Sequence, residues 1–248
     1  MILGGFMLPS SEVLEAIDCL SANETTAQYL DIIRNYYATS LNTMTHEIQN
    51  IITYLSSSVQ LVEKKHPEVT TYEYWKQINI DLKHIKNLTA DLSNLSKSAK
   101  LRVQDTDFKL LLNTIINIIS PILISKNITT SLNYPDYIPT NITCDTTKIK
   151  QVIINLYKNS AEAINSNGNI EFNVSLNGPY LQLSISDTGP GIDAKNLDKI
   201  WELYYTSKEY GTGIGLPLSK QIVEAHKGQI YYSTNINGGA TFTIMLPI

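Results

Sequence analysis

A chain of 248 residues, 43% of them apolar, has material for more than one buried core, which excludes a largely disordered polymer. A formal net charge of -4 gives no long-range attraction for nucleic acid or an anionic membrane surface, so neither is expected as a partner. Cys19 and Cys144 lack CxxC spacing and make no disulfide framework, and no charged start followed by a long apolar run marks a leader, so a cytoplasmic location is expected.

Residues 11–100 hold no Gly and a single Pro, whereas glycines gather after residue 165. That shift predicts a helical half followed by a mixed α/β half. Residues 1–27 form an N-terminal segment or the remnant of an input region; 11–20 could make a short helix but no sensor domain. Leu41, Met44, Ile48, Ile51, Leu55, Val59 and Val62 then recur at a mean spacing of about 3.5, the period of a coiled-coil seam. Trp75, Ile78, Leu82, Ile85, Leu88, Leu92 and Leu95 repeat the pattern. The break at His66 and Pro67 folds the pair into an antiparallel hairpin over residues 28–102. Two helices alone bury too little, so a homodimeric four-helix bundle is expected, the alternative being a hairpin packed on its own C-terminal half.

Residues 110–125 are uncharged, but they include Asn113, Asn117 and Pro121 and fall short of the roughly 20 residues that a membrane span needs. They read as a buried globular helix, and no membrane segment is expected. The rest of the unit at 103–248 is predicted as helix 109–123, strand 128–133, helix 147–164 and strands 170–176 and 181–187. A helix at 216–225 and strands at 229–233 and 240–246 follow. The fold class is therefore α+β, a helical hairpin followed by an α/β sandwich.

Asp187-Thr188-Gly189-Pro190-Gly191-Ile192 stands at the end of an alternating strand. A carboxylate there, followed by two glycines, lets a flat ligand approach the backbone while the Asp accepts a hydrogen bond from an amine such as adenine's. A plain turn is the competing reading. Gly211-Thr212-Gly213-Ile214-Gly215-Leu216 opens a helix, where unhindered N–H groups and the positive dipole end favour phosphate oxygens, although a simple hinge would look the same. Its spacing is neither the dinucleotide fingerprint nor the P-loop. Asn155 and Asn159 share one helix face, and amide oxygens there could complete a magnesium shell or merely hydrogen-bond.

In that order, joined by Tyr204-Tyr205-Thr206-Ser207-Lys208 and Gly238-Gly239-Ala240-Thr241-Phe242, these pieces resemble the catalytic ATP-binding domain of histidine kinases, a branch of the Bergerat-fold ATPases. The resemblance implies ATP and Mg2+ as ligands. Asn159 would be the principal magnesium ligand, Asn155 would support the triphosphate side, and Asp187 would bind the adenine amino group. Gly189 and Gly191 would shape the purine pocket. Gly211, Thr212, Gly213, Ile214, Gly215 and Leu216 would close over the phosphates beside a lid at 193–210, and Thr241 joins the nucleotide-binding set. Lys208 would offset phosphate charge, unless it is simply solvated. Tyr204 and Tyr205 stand where the family usually has phenylalanines.

Thr45-His46-Glu47-Ile48-Gln49-Asn50 lies on the first long helix, with His46 about 200° from Met44 and Ile48 and so turned away from the seam. This hexad resembles the phosphoacceptor box of the dimerisation and histidine-phosphotransfer domain. The resemblance implies a protein-histidine kinase of two-component signal transduction. It would autophosphorylate on His46, with Glu47 taking the proton from the other ring nitrogen, and pass the phosphoryl group to an aspartate of a response regulator receiver domain. Asn50, one turn on, would orient a water for dephosphorylating that partner. Ile51 replaces the family's frequent proline, which predicts a straighter helix. His66, His84 and His226 read as surface or loop residues. Two other readings stay open: a Bergerat-fold ATPase or serine/threonine kinase for which His46 is dispensable, and a non-catalytic phosphotransfer scaffold.

Overall fold

The computed structural model describes residues 24–96, 101–208, 211–235 and 238–248, so the short helix expected at 11–20 and Cys19 lie outside them. Helix α1 (Glu24–Lys65) and helix α2 (Glu73–Ser96) form the expected antiparallel hairpin. Pro67 opens a 3₁₀ turn, Pro67–Thr71; lacking an N–H, it cannot extend the hydrogen-bond ladder of α1. Beside the turn, Trp75 Nε1 and Asn79 Nδ2 both donate to Glu63 Oε1, at 2.8 and 2.9 Å, and set the register of the two helices.

The face that α1 turns inward differs from the predicted seam. Thr45 and Ile52 are buried, opposite the buried Thr89 and Ser93 of α2, whereas Met44, Ile48, Ile51, Leu55 and Val62 stay exposed. Small polar residues can occupy the inner face because their hydroxyls bond back into their own helices: Thr45 Oγ1 donates to Leu41 O at 2.6 Å and Thr89 Oγ1 to Ile85 O at 3.0 Å. The apolar stripe is thereby left for another surface.

Strand β1 (Gln104–Asp107) leads into α3 (Phe108–Leu123), then β2 (Ile128–Asn133), β3 (Asn141–Cys144) and α4 (Thr146–Ala163). Strands β4 (Gly168–Asn177) and β5 (Tyr180–Asp187), helix α5 (Gly215–Ala225), and strands β6 (Gln229–Thr234) and β7 (Ala240–Pro247) complete the chain. The main sheet has the order β2-β4-β5-β7-β6, parallel between β2 and β4 and antiparallel elsewhere. Periodicity missed the antiparallel β1–β3 ribbon, because four residues reading Gln-Asp-Thr-Asp carry no apolar alternation.

Alternation puts Ile170, Phe172 and Val174 of β4, Leu181, Leu183 and Ile185 of β5, and Phe242, Ile244 and Leu246 of β7 in one core with Leu112 and Ile115 of α3, Leu156 of α4 and Ile222 of α5. On the opposite face, register partners Ser184 and Thr243, and Ser186 and Thr241, join hydroxyls at 2.9 Å. Leu88 and Leu92 of α2 also pack on this core. No helix among the described residues is long and apolar enough to cross a membrane.

His226 corrects the surface reading. It is buried at the end of α5; its Nδ1 donates to Ile222 O at 2.7 Å and its Nε2 accepts from Asp145 N at 2.9 Å, a pattern that fixes the neutral tautomer. Asp145 in turn caps α4, one carboxylate oxygen accepting from Lys148 N at 3.1 Å and the other from Arg102 N at 2.7 Å. The pair of His226 and Asp145 thus ties α4, α5 and the segment that precedes β1.

Candidate active site

The C-terminal end of β5, the start of β7 and the C-terminal half of α4 converge on Asp187. The side chain is buried, and its Oδ1 accepts from Gly189 N at 2.9 Å and from Ala240 N at 3.2 Å. Among the described residues no donor reaches Oδ2, which leaves one carboxylate oxygen for an incoming amine. An open cleft of about 320 Å³ lies alongside, lined by Ala163, Ile164, Thr188, Gly189 and Pro190 together with Asn165 and Ser166. That volume is at the lower end for a small-molecule site.

The glycines are there because side chains would collide. Gly191 has a φ of 73°, and a Cβ on it would strike the carbonyl oxygen of Gly238. Gly213, at φ 65°, accepts from Tyr204 N at 2.9 Å, and a Cβ there would strike the backbone of Tyr204. A Cβ on Gly215 would meet the amide oxygen of Asn155, whose Nδ2 donates to Ser219 Oγ at 2.9 Å. Asn155 therefore abuts the helix that the glycine stretch opens. Ile214 is buried beneath it, Leu216 is half-buried, and Thr241 pairs with Ser186 on the polar face of the sheet.

Asn159 presents its Oδ1 to the ammonium of Lys208 at 3.0 Å, and Glu162, one turn along α4, forms an ion pair with the same ammonium. An amide oxygen already serving a cation has the chemistry of a magnesium ligand, so the residues present fit a Mg-nucleotide. Glu162 escaped the sequence reading, since a lone Glu on a helix carries no motif; only folding sets it beside Lys208. Ser160, next to Asn159, is 2% exposed, and among the described residues its hydroxyl has no hydrogen-bond partner. Replacing a hydroxyl with alanine is the test of such an orphan.

His46 is exposed on α1, although Met44 and Ile48, from which its angular position was reckoned, are exposed as well, and Glu47 and Asn50 are exposed beside it. Thr45, the residue before it, donates through Oγ1 to Leu41 O. The hairpin and the glycine stretch meet where Thr212 Oγ1 donates to Asp91 Oδ2 at 2.8 Å.

Residues 144–248 match the family described as histidine kinase-, DNA gyrase B-, and HSP90-like ATPase. The chain is 30% identical over 204 residues to the sensor histidine kinase ZraS of Escherichia coli (strain K12), a match covering 82% of this chain and 44% of that protein. It is also 30% identical over 247 residues to sporulation kinase D of Bacillus subtilis (strain 168), covering 98% of this chain and 47% of the relative. The chain thus spans less than half the length of either. Its fold resembles that of the histidine kinase ThkA, solved in complex with the response regulator TrrA, with a TM-score of 0.64 and 24% identity over 91% of this chain and 67% of that one. Residues 144–248 thus form a domain of that ATPase family, and along its length the chain is similar to sensor histidine kinases.

Proposed function

We propose that the protein is an ATP-dependent protein-histidine kinase that phosphorylates His46 and hands the phosphoryl group to an aspartate on a response regulator receiver domain. The single observation that carries this is the pairing of an exposed imidazole on the hairpin with a cleft next to Asp187, whose Oδ2 meets no donor among the described residues. Transfer is in-line: the unprotonated ring nitrogen of His46 bonds to the γ-phosphorus as its bond to the ADP oxygen breaks, and the proton on the other ring nitrogen passes to Glu47. Positioning does most of the work in such a reaction. Asn159 would hold magnesium, which supplies neutralisation of the charge developing on the phosphates, while Asn155, the glycines of 211–215 and a released Lys208 line the phosphate side.

The exposed stripe of Met44, Ile48, Ile51 and Leu55 supports a homodimer, since large apolar side chains repeating along one helix face favour burial. The response regulator is proposed by analogy with the ThkA complex. Asn50, exposed one turn from His46, suits a role in dephosphorylating it. A cytoplasmic setting agrees with the unpaired, buried Cys144. Incubation with γ-labelled ATP and Mg2+ is expected to give acid-labile, alkali-stable label that His46→Gln abolishes. Label surviving in that variant, or acid-stable label, refutes the acceptor and revives a serine/threonine kinase or plain ATPase; failure to bind Mg-ATP points to a scaffold.

A further inference from the structure

The contact between α2 and the glycine stretch does more than join two parts of the fold. Asp91 is half-buried, and burial pushes its carboxyl above the ordinary carboxylate range, against the opposing pull of the Thr212 hydroxyl and the charge of Lys158. Leu88 and Leu92, its neighbours on the same face of α2, pack on the core of the ATPase part. The hairpin register gives its height. Asn79 and Trp75 both reach Glu63, so counting onward along α2 and back along α1 sets Asp91 level with the stretch from Glu47 to Ile51. At about 1.5 Å rise per residue, that is within roughly 8 Å of His46 along the axis. The glycine stretch is thus moored beside the acceptor box, but on the neighbouring helix.

The mooring carries the wrong charge for its place. A carboxylate against a phosphate-binding stretch opposes a triphosphate, and the opposition is strongest where solvent is partly excluded. We infer that Asp91 is a positioning residue that holds the glycine stretch against α2 in the nucleotide-free protein, and that a nucleoside triphosphate binds in competition with this hold. The inference rests on reading residues 211–215 as the phosphate-side stretch. Charge and hydrogen bond act separately: Asp91→Asn keeps an oxygen that accepts from Thr212 but removes the charge, whereas Asp91→Ala removes both.

The test measures amide hydrogen exchange across residues 211–215 in the nucleotide-free chain, and the affinity of the chain for a non-hydrolysable Mg-ATP analogue. In Asp91→Ala, exchange should speed up and the analogue should bind about three- to tenfold tighter, the gain shrinking at high salt. In Asp91→Asn, exchange should stay near that of the unaltered protein while affinity still rises. In a Thr212→Val background, Asp91→Ala should produce no further change in exchange. Unchanged exchange and affinity in Asp91→Ala, or weaker binding, overturns the proposal. If the unaltered protein binds the analogue at no concentration, the nucleotide reading itself fails, and the hold with it. Thermal unfolding of each variant verifies that it is folded, which a substitution at a half-buried position should leave intact.

Discussion

Asp145 and His226 are the residues on which the packing of α4, α5 and the segment before β1 turns. Burial alone would raise the Asp145 carboxyl, but the backbone N–H groups of Arg102 and Lys148 and the charge of Lys148 hold it below its ordinary value of 3.8. A depressed carboxyl contributes stability that is present above the ordinary value and lost as pH falls through the lowered one. Asp145→Ala should therefore cost about 1–3 kcal/mol at neutral pH, from the lost cap and the stranded Arg102 N–H. Urea midpoints measured from pH 7 to pH 3 should converge on those of the unaltered protein at the acid end; a constant gap would show that packing, and not the charge, sets the effect. Ser160 makes the opposite prediction. Its buried hydroxyl has no partner among the described residues, so Ser160→Ala should stabilise the nucleotide-free protein by up to about 1 kcal/mol, and a lowered thermal midpoint would reveal a bound water in that place.

Among the elements, α1 is the one whose two faces have different destinations. The inner face is built from Thr45 and Ile52, and the outer one shows Met44 at 48%, Ile51 at 58% and Leu55 at 51% exposure, more than a finished surface would leave in one line. If that stripe is the dimer seam, Ile48→Lys and Ile51→Glu should each raise the dimer dissociation constant at least about tenfold. Sedimentation equilibrium reads this directly, and a protein that is monomeric before substitution would dispose of the idea. Both changes lie on an exposed face, so the hairpin itself should keep its helicity. The absence of proline at position 51 fits the unbroken run of α1 from Glu24 to Lys65.

For the whole molecule, the consequence is a geometric one. The cleft beside Asp187 and the exposed His46 belong to different parts of the fold, and the mooring of Thr212 on Asp91 decides how the two face each other before nucleotide arrives. The proposed transfer to His46 requires the glycine stretch to address α1, whereas it is tethered to α2. On this view, label on His46 should accumulate faster in Asp91→Asn than in the unaltered protein when nucleotide is limiting. The two rates should converge when nucleotide is saturating, as expected for a change in competition and not in chemistry.

Apart from the β1–β3 ribbon, the sequence by itself determined the element types and most of their boundaries, because helix period, strand alternation and glycine spacing are local properties of a chain. The candidates Asp187 and the glycine stretch were legible there too, since a strand end and alternating glycines are marks that neighbouring residues leave. Glu162 beside Lys208, His226 beneath Asp145, and Asp91 against Thr212 were decided only by the tertiary structure. So was the choice of Thr45 and Ile52 over the apolar stripe as the inner face of α1. The physical reason is the same in each case: a partner tens of residues away leaves no periodic mark on the residue it pairs with. Which of two possible faces a helix buries depends on what else the fold brings to it.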